Sequence, residues 1–434
     1  MTHLPVHEWG RVEVGDGGFT RHQADALLAA ARRHELGGTD GTDILCDHHR
    51  FLRARQMVGV IAGPGCSLEI LPKVDPAGTA EEAGTVRARL VHMLDVALGL
   101  NLSAGDATAM SHQADSLLEF FIALFAERLL AEVRRGLPRR YRTHEDDLRA
   151  LRGRLNIVRQ FTAHAVRPDR LACRFDALDP DVPLMQVMKA CVIMLARYAR
   201  SADSQRKLAE LRFLLADVSD VPLGVLPWRR IQIDRSSRRW RSLVDLARLL
   251  LGGEWQQTHA QARAPEGLTL LFPMNDLFER YVAVQLRRAL ADSGLDVVAQ
   301  GGGKYCLGPW QGEGGYSHAT RPDILIKHGD RVVAVLDTKW KNLIKGVSHA
   351  DLYQVMAYAR LYGCPRLILL YPGTPGEVAP DVDTRGIAPG PDRLDVATVP
   401  LDRRTEDIQD SLRRLVFDVE HHARTAVTPA ASQN

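Results

Sequence analysis

The 434-residue chain is poor in cysteine: six occur, and Cys46, Cys66, Cys173, Cys191, Cys306 and Cys364 lie far apart. No Cys-x-x-Cys pair is present and no cysteine–histidine group has zinc-finger spacing, so a zinc-stapled module is not expected. Buried free thiols in a reducing cytoplasm are the simplest expectation. Long apolar runs are missing as well. The longest clean one in the middle of the chain, Phe120–Ala126, is far short of a membrane span. The opening residues Met1–His7 lack the pattern of a signal peptide, so the expectation is a soluble cytoplasmic protein with no membrane partner. Net charge is small, +3 from 56 basic and 53 acidic residues, so any nucleic-acid surface must come from local clustering. Nothing matches the phosphate loop Gly-x-x-x-x-Gly-Lys-[Ser/Thr], so the chain is expected to bind no nucleotide of its own. No internal repeat and no long low-complexity segment occurs.

What is present is the balance of a folded protein, 45% hydrophobic and 25% charged, in a length that implies two or three domains. Residues 1–80 read as a β-rich N-terminal domain. Val58–Ile61 and Cys66–Leu71 flank Gly63-Pro-Gly65 as a hairpin, and Phe19–Glu35 reads as an alanine-rich helix. Pro76-Ala-Gly-Thr79 begins a linker. Residues 82–262 read as mainly helical, with helices over Ala114–Arg135, Leu184–Ala199 and Ser204–Ala216. Residues 265–425 change alphabet again: an amphipathic helix over Met274–Ala291, glycine-rich loops at Gly301–Gly303 and Gly312–Gly315, two strands, a helix, and a strand over Arg366–Tyr371. A Pro/Gly/Asp-rich loop over 372–392 and a last helix over 404–424 follow, with a disordered tail at 426–434. The fold class expected is multidomain α+β.

The chemistry concentrates in Arg321–Trp340. Asp323–Lys327 and Arg331–Trp340 read as two strands around His328-Gly-Asp330. Strand alternation puts Asp337 and Lys339 on one side and Thr338 on the other. Asp323 and Asp337 are symmetric about Asp330, so an odd-length turn of three or five residues sets them opposite each other, Cβ atoms roughly 5 Å apart. Two carboxylates that close call for a cation between them. A hard divalent ion with oxygen ligands fits, Mg²⁺ by default and Mn²⁺ as the alternative. The backbone carbonyl of Thr338 is a further candidate ligand, and Lys339 a candidate to hold or polarise the attacking water.

Pro322-Asp323, thirteen intervening residues, then Asp337-Thr338-Lys339 resembles the PD-(D/E)xK nuclease superfamily. The next helix, about Ser348–Tyr362, opens on Ser348-x-x-Asp351 and carries Leu352, Val355, Met356 and Ala359 at helical period. Gln354 and Tyr358 lie one turn apart on an adjoining face. RecB-like members have a similar Gln-x-x-x-Tyr helix beside the metal site. Glu279, on the helix before the hairpin, matches the acidic residue that adds a metal contact in many members. Read alone, Glu279 serves equally as a surface salt-bridge residue and Tyr358 as a packing residue.

Three further patches, in order, resemble the McrC family, nuclease subunits of the McrBC modification-dependent (5-methylcytosine) restriction system: Gly59-Val-Ile61 with Leu68-Glu-Ile-Leu-Pro-Lys73, Leu151-Arg-Gly-Arg-Leu155 after Tyr141, and Pro273–Val282. The resemblance implies a C-terminal α/β nuclease domain with a mixed sheet. It implies a partner in a hexameric McrB-like AAA+ GTPase or ATPase, and as substrate DNA bearing modified cytosine. The N-terminal and helical regions would form the stalk that engages the hexamer. Two arginine-dense segments, Arg134–Arg174 with twelve arginines against four acids and Trp228–Arg241 with six around Asp234, suit phosphate, an acidic partner surface, or solvent. Arg152 and Arg154 could instead pair with carboxylates inside the helical region. A RecB-like repair or recombination nuclease and a non-catalytic adaptor of an AAA+ motor are the competing readings.

Overall fold

The computed structural model describes residues 2–38, 41–73, 82–100, 114–164, 166–167, 169–235, 237–251, 267–309, 315–343, 346–374, 382–387 and 390–425, without the side chains of Glu35 and 418–425. The expected linker at Pro76-Ala-Gly-Thr79, most of the Gly312–Gly315 loop and the tail lie outside them.

The chain opens with β1 (Thr2–His7), β2 (Arg11–Glu13), α1 (Arg21–Arg33), β3 (Leu45–Asp47), β4 (Phe51–Ala54), β5 (Met57–Gly63) and β6 (Cys66–Leu71). Helix α1 starts at a capping box. Thr20 accepts from the Gln23 backbone and the Gln23 side chain accepts from Thr20 N. The β5–β6 hairpin pairs Gly63 with Cys66, so its turn is Pro64-Gly65, with Gly65 at φ 69°. Strand β5 is buried throughout. Val58, Val60 and Ala62 join the main core, while Met57 and Ile61 join a second core around α1, as strand alternation requires.

The middle region holds α2 (Ala83–Leu98), α3 (Leu117–Arg134), α5 (Pro183–Leu195), α6 (Ala202–Leu214) and α7 (Arg241–Leu250). Between α3 and α5 stands an arm: β7 (Arg140–Leu148), β8 (Arg154–Leu155), the short α4 (Ile157–Thr162) and β9 (Leu171–Asp179), in sheet order β7-β9-β8. The helical reading of this region missed it because β7, Arg-Tyr-Arg-Thr-His-Glu-Asp-Asp-Leu, has no apolar face and is mostly exposed. Backbone pairing from Arg140↔Asp179 to Leu148↔Leu171 holds the arm. The first and middle regions are tied by Glu69 on β6. Its carboxylate accepts from Arg87 Nε (2.7 Å) and Nη2 (2.8 Å) on α2 and from Leu117 N (2.9 Å) at the start of α3.

Strand β10 (Leu268–Pro273) returns to the first sheet, antiparallel to β5, giving the order β1-β6-β5-β10. Gly59 permits the crossing: a Cβ there would lie 1.9 Å from Leu270 O, and its φ is +129°. Helix α8 (Met274–Ala289) follows at once. Then come β11 (Asp296–Ala299), β12 (Lys304–Leu307), β13 (Ser317–Thr320), β14 (Ile324–His328), β15 (Arg331–Thr338), α9 (His349–Tyr362), β16 (Arg366–Pro372), β17 (Val382–Ile387), β18 (Asp392–Val399) and α10 (Thr405–Thr425). The large sheet has the order β11-β14-β15-β16-β18-β17. It is mixed: β14–β15 is antiparallel, while β15–β16 and β16–β18 are parallel. The expected loop over 372–392 contains β17, an exposed edge strand whose Val-Asp-Thr-Arg-Gly-Ile sequence carries no burial signal.

The six cysteines are free, but Cys306 is exposed and Cys46 half-buried, so not all are the buried thiols expected. Among the described residues no helix is long and apolar enough to cross a membrane.

Candidate active site

The catalytic-looking hairpin differs from expectation at its turn. His328 pairs with Arg331, leaving Gly329-Asp330 as a two-residue turn, and Gly329 supplies the positive φ of 60° that its first position needs. A three- or five-residue loop is therefore not what joins the strands. A bulge between Ile326 and Lys327 shifts the register, and beyond it Ile324 faces Leu336. One step further, the same register sets Asp323 against Asp337. The bulge supplies the odd residue that the turn lacks, so the facing of the two carboxylates survives by a different device.

Asp337 is fully buried at the parallel edge of β15, beside Leu369 of β16. Neither of its carboxylate oxygens has a hydrogen-bond partner among the described residues, although Lys339 Nζ stands 2.6 Å from Oδ2. Burial, then the Asp323 charge, raises its pKa to about 6 against the opposing pull of Lys339. Asp323 Oδ2 accepts from Thr338 N (2.7 Å) and Thr338 Oγ1 (2.8 Å). Thr338 thus fixes Asp323 across the hairpin.

Glu279 arrives from α8. It is 8% exposed, so it is not the surface salt-bridge residue its sequence position equally allowed. Its Oε1 lacks a partner. Burial, followed by repulsion from Asp323, pushes its pKa up to about 7. Asp276, one turn earlier, is raised too, by burial first and with Asp323 contributing. Sequence reading missed Asp276, although its spacing from Glu279 on one helix face was a usable signal.

Helix α9 brings the remaining side chains. Ser348 caps it, accepting from Asp351 N, as the Ser-x-x-Asp start predicts. Lys339 Nζ donates to Gln354 Oε1 (3.1 Å), Gln354 Nε2 donates to Tyr358 OH (2.7 Å), and Tyr358 OH donates to Arg321 O (3.5 Å). Burial pushes the Tyr358 phenol up to about 12, so it stays a donor. Val355 and Ala359 are buried as expected, but Met356 is exposed. Just past the motif, Lys341 pairs with Asp351. Trp340 donates from Nε1 to Glu8 (3.0 Å) in the first region and from its backbone to Asn275 (3.2 Å) on α8. Lys341, Glu8 and Asn275 were not read from the sequence, and Asp351 was read only as part of the helix start.

The seven residues singled out by sequence, Asp323, Asp337, Thr338, Lys339, Glu279, Gln354 and Tyr358, are thus linked through contacts or mutual charge effects. The donor set suits a hard divalent cation: buried carboxylates whose pKa values are raised by burial first and by the neighbouring Asp323 charge second, with Glu279 Oε1 unpartnered and Asp337 neutralised only in part by Lys339. Among the described residues no group of three His, Cys, Asp or Glu has closed to coordinating geometry. Mg²⁺ commonly takes only one or two carboxylates and completes its shell with water.

A sequence profile of the family described as McrBC 5-methylcytosine restriction system component matches residues 52–372. The chain belongs to that family. The match spans the β5–β6 hairpin, the helical region with its arm, and the sheet through β16. Two solved structures share the McrBC fold. One, a refined half-complex from a tetradecameric assembly of Thermococcus gammatolerans McrB AAA+ hexamers with bound McrC, superposes with a TM-score of 0.76 at 22% identity, covering 96% of this chain and 100% of that one. The other, a cryo-EM structure of the Thermococcus gammatolerans McrBC complex, gives 0.53 at 24% identity over 67% of this chain and 89% of that one. No curated protein matches.

Arginines of the arm are largely committed. Arg142 lies 3.3 Å from Asp181, Arg159 2.8 Å from Asp147, and the Arg152 guanidinium 4.2 Å over the Phe175 ring. Arg152 therefore stacks on an aromatic face and does not take the carboxylate partner suggested for it.

Proposed function

We propose that the chain is the DNA-cutting subunit of a modification-dependent restriction complex, a divalent-cation-dependent endodeoxyribonuclease of the PD-(D/E)xK type. The observation that carries this reading is the facing, across one hairpin, of Asp323 and a fully buried Asp337 that is ion-paired with Lys339 at 2.6 Å. Asp323, Asp337 and the Thr338 carbonyl would hold Mg²⁺ or Mn²⁺, with Glu279 as a further ligand. When bound, such an ion supplies Lewis-acid stabilisation of charge on the phosphate and lowers the pKa of its water.

The chain's own side chains do the rest. Thr338 holds Asp323 in place through two hydrogen bonds. Lys339 would hold or polarise the attacking water beside the ion. Gln354 fixes the Lys339 ammonium, and Tyr358 fixes Gln354. The hydrogen bond to Gln354 and the ion pair with Asp337 together hold the half-buried lysine in the site.

The partner in this reading is a McrB-like AAA+ hexamer that hydrolyses GTP or ATP, and its hydrolysis is stimulated by this chain. The likeness to chains from McrB–McrC assemblies supports it. The arm adds a physical reason: Tyr141, Val158, Phe161 and Val166 are each more than 70% exposed there, an apolar surface fit for a protein partner. The test is cleavage of methylated and unmethylated plasmid by the wild-type protein, with and without its AAA+ partner and nucleotide. Cleavage that needs partner, nucleotide and methylation is the expected result. Methylation-indifferent cleavage by the chain alone would replace the restriction reading with a repair nuclease.

A further inference from the structure

Strands β12 and β13 form a separate two-stranded ribbon outside the large sheet. Both of its roots lie on the rim of the candidate site. On one side Gln300 donates its backbone N–H to Asp323 O (2.7 Å) and its side chain bonds Glu279. On the other, Arg321 O accepts from Tyr358 OH (3.5 Å), two residues before Asp323.

The ribbon's two faces differ. Lys304 points back onto α9, donating to Leu361 O (2.8 Å) with its ammonium 5.1 Å from the Tyr362 ring centre, and Thr320 Oγ1 donates to Lys304 O (2.8 Å). That face is anchored. Alternation sends Tyr305 and Leu307 the other way, where they are 47% and 54% exposed. Tyr316, 70% exposed, packs its ring 5.7 Å from that of Tyr305. Residues 301–309 and 315–322 contain Lys304, His318 and Arg321 and no acid, and the residues that connect them, 310–314, add one acid, Glu313. Exposed aromatics on a ribbon with more basic than acidic residues, rooted beside paired carboxylates, have little structural purpose. They do not pack inward, and the ribbon is a sheet separate from the large one.

We infer that this ribbon is the surface through which duplex DNA is seated on the site. A two-stranded β-ribbon fits a DNA groove of about 12 Å. Tyr305, Leu307 and Tyr316 enter the groove and pack on sugars and bases, while the exposed Arg321 meets a flanking phosphate. The span from ribbon face to root, four residues at about 3.3 Å each, then leads the backbone of the held strand to Asp323. The inference rests on the nuclease reading for the identity of its ligand.

The test is anisotropy of a labelled DNA duplex with the full chain in EDTA, where no cutting intervenes. Tyr305→Ala/Tyr316→Ala is expected to weaken binding roughly tenfold or more, with an unchanged melting temperature because both rings are exposed. Tyr305→Phe/Tyr316→Phe is expected to bind as wild type, since the rings carry the contact. Equal binding by the alanine and wild-type proteins, or no duplex binding by the wild type, overturns the inference. Parallel cleavage with Mg²⁺ and the AAA+ partner separates the two ideas. Tyrosine-dependent binding without any cleavage removes the nuclease and keeps the ribbon, whereas cleavage with tyrosine-independent binding does the reverse.

Discussion

The side chain that most constrains the chemistry is Lys339, because a free ammonium on a four-carbon stem has little positional value in itself. Asp337 at 2.6 Å and Gln354 at 3.1 Å supply that value together, and Tyr358 orients the amide through its other end. Gln354→Ala is therefore expected to lower the cleavage rate about tenfold, the worth of roughly one hydrogen bond to a charged group, with KM for DNA unchanged. A change in KM alone, measured by steady-state cleavage, would assign Gln354 to DNA contact. At this scale the sequence was informative because spacing is chemistry: Asp337-Thr338-Lys339 and Gln354-x-x-x-Tyr358 declare which atoms share a face. It was silent on Trp340 and Glu8, 332 positions apart, since no local period encodes a contact made by folding two regions together.

Among the elements, the β14–β15 hairpin is braced from the first sheet. Glu8, just past β1, accepts from Trp340 Nε1 (3.0 Å) and from Lys73 N (3.1 Å) just past β6. It is 3% exposed, and burial raises its pKa from 4.5 to about 7 against the pull of those two donors. A folded-state pKa above the unfolded value contributes stability below about pH 4.5 that is lost as pH rises through 7. Glu8→Gln keeps an accepting oxygen without the charge. It is expected to melt higher than wild type at pH 8, by up to about 3 kcal/mol of stability, and to lose that advantage at pH 5. A pH-independent difference in melting would show that the joint does not depend on this proton. The elements also show where sequence reading fails. Amphipathic helices such as α3 and α8 were legible because one face is apolar. The arm strands β7 and β9 and the edge strand β17 were not, because they are held by backbone pairing and bury little. The bulge in β14–β15 escaped for the same reason: it changes register without changing composition.

Across the whole molecule, three regions share one path of contacts. Glu69 ties the first sheet to α2 and α3, β10 carries the chain back across β5 at Gly59, and α8 leaves β10 directly for the site with Asp276 and Glu279 aboard. Mixed α+β composition and the order of the regions were readable from alphabet changes along the chain. The interleaving was not, since β10 completes the first sheet from a position more than two hundred residues downstream. The family match and the shared McrBC fold agree with this architecture. The central claim remains chemical: Asp337 is the buried ligand on which cutting depends. The most direct measurement compares Mg²⁺-dependent DNA cleavage, with the AAA+ partner and nucleotide present, by wild type and by the near-isosteric Asp337→Asn. A fall of at least about a thousandfold with an unchanged melting temperature is the predicted result. Equal cleavage by the two proteins would contradict it and move the active site elsewhere.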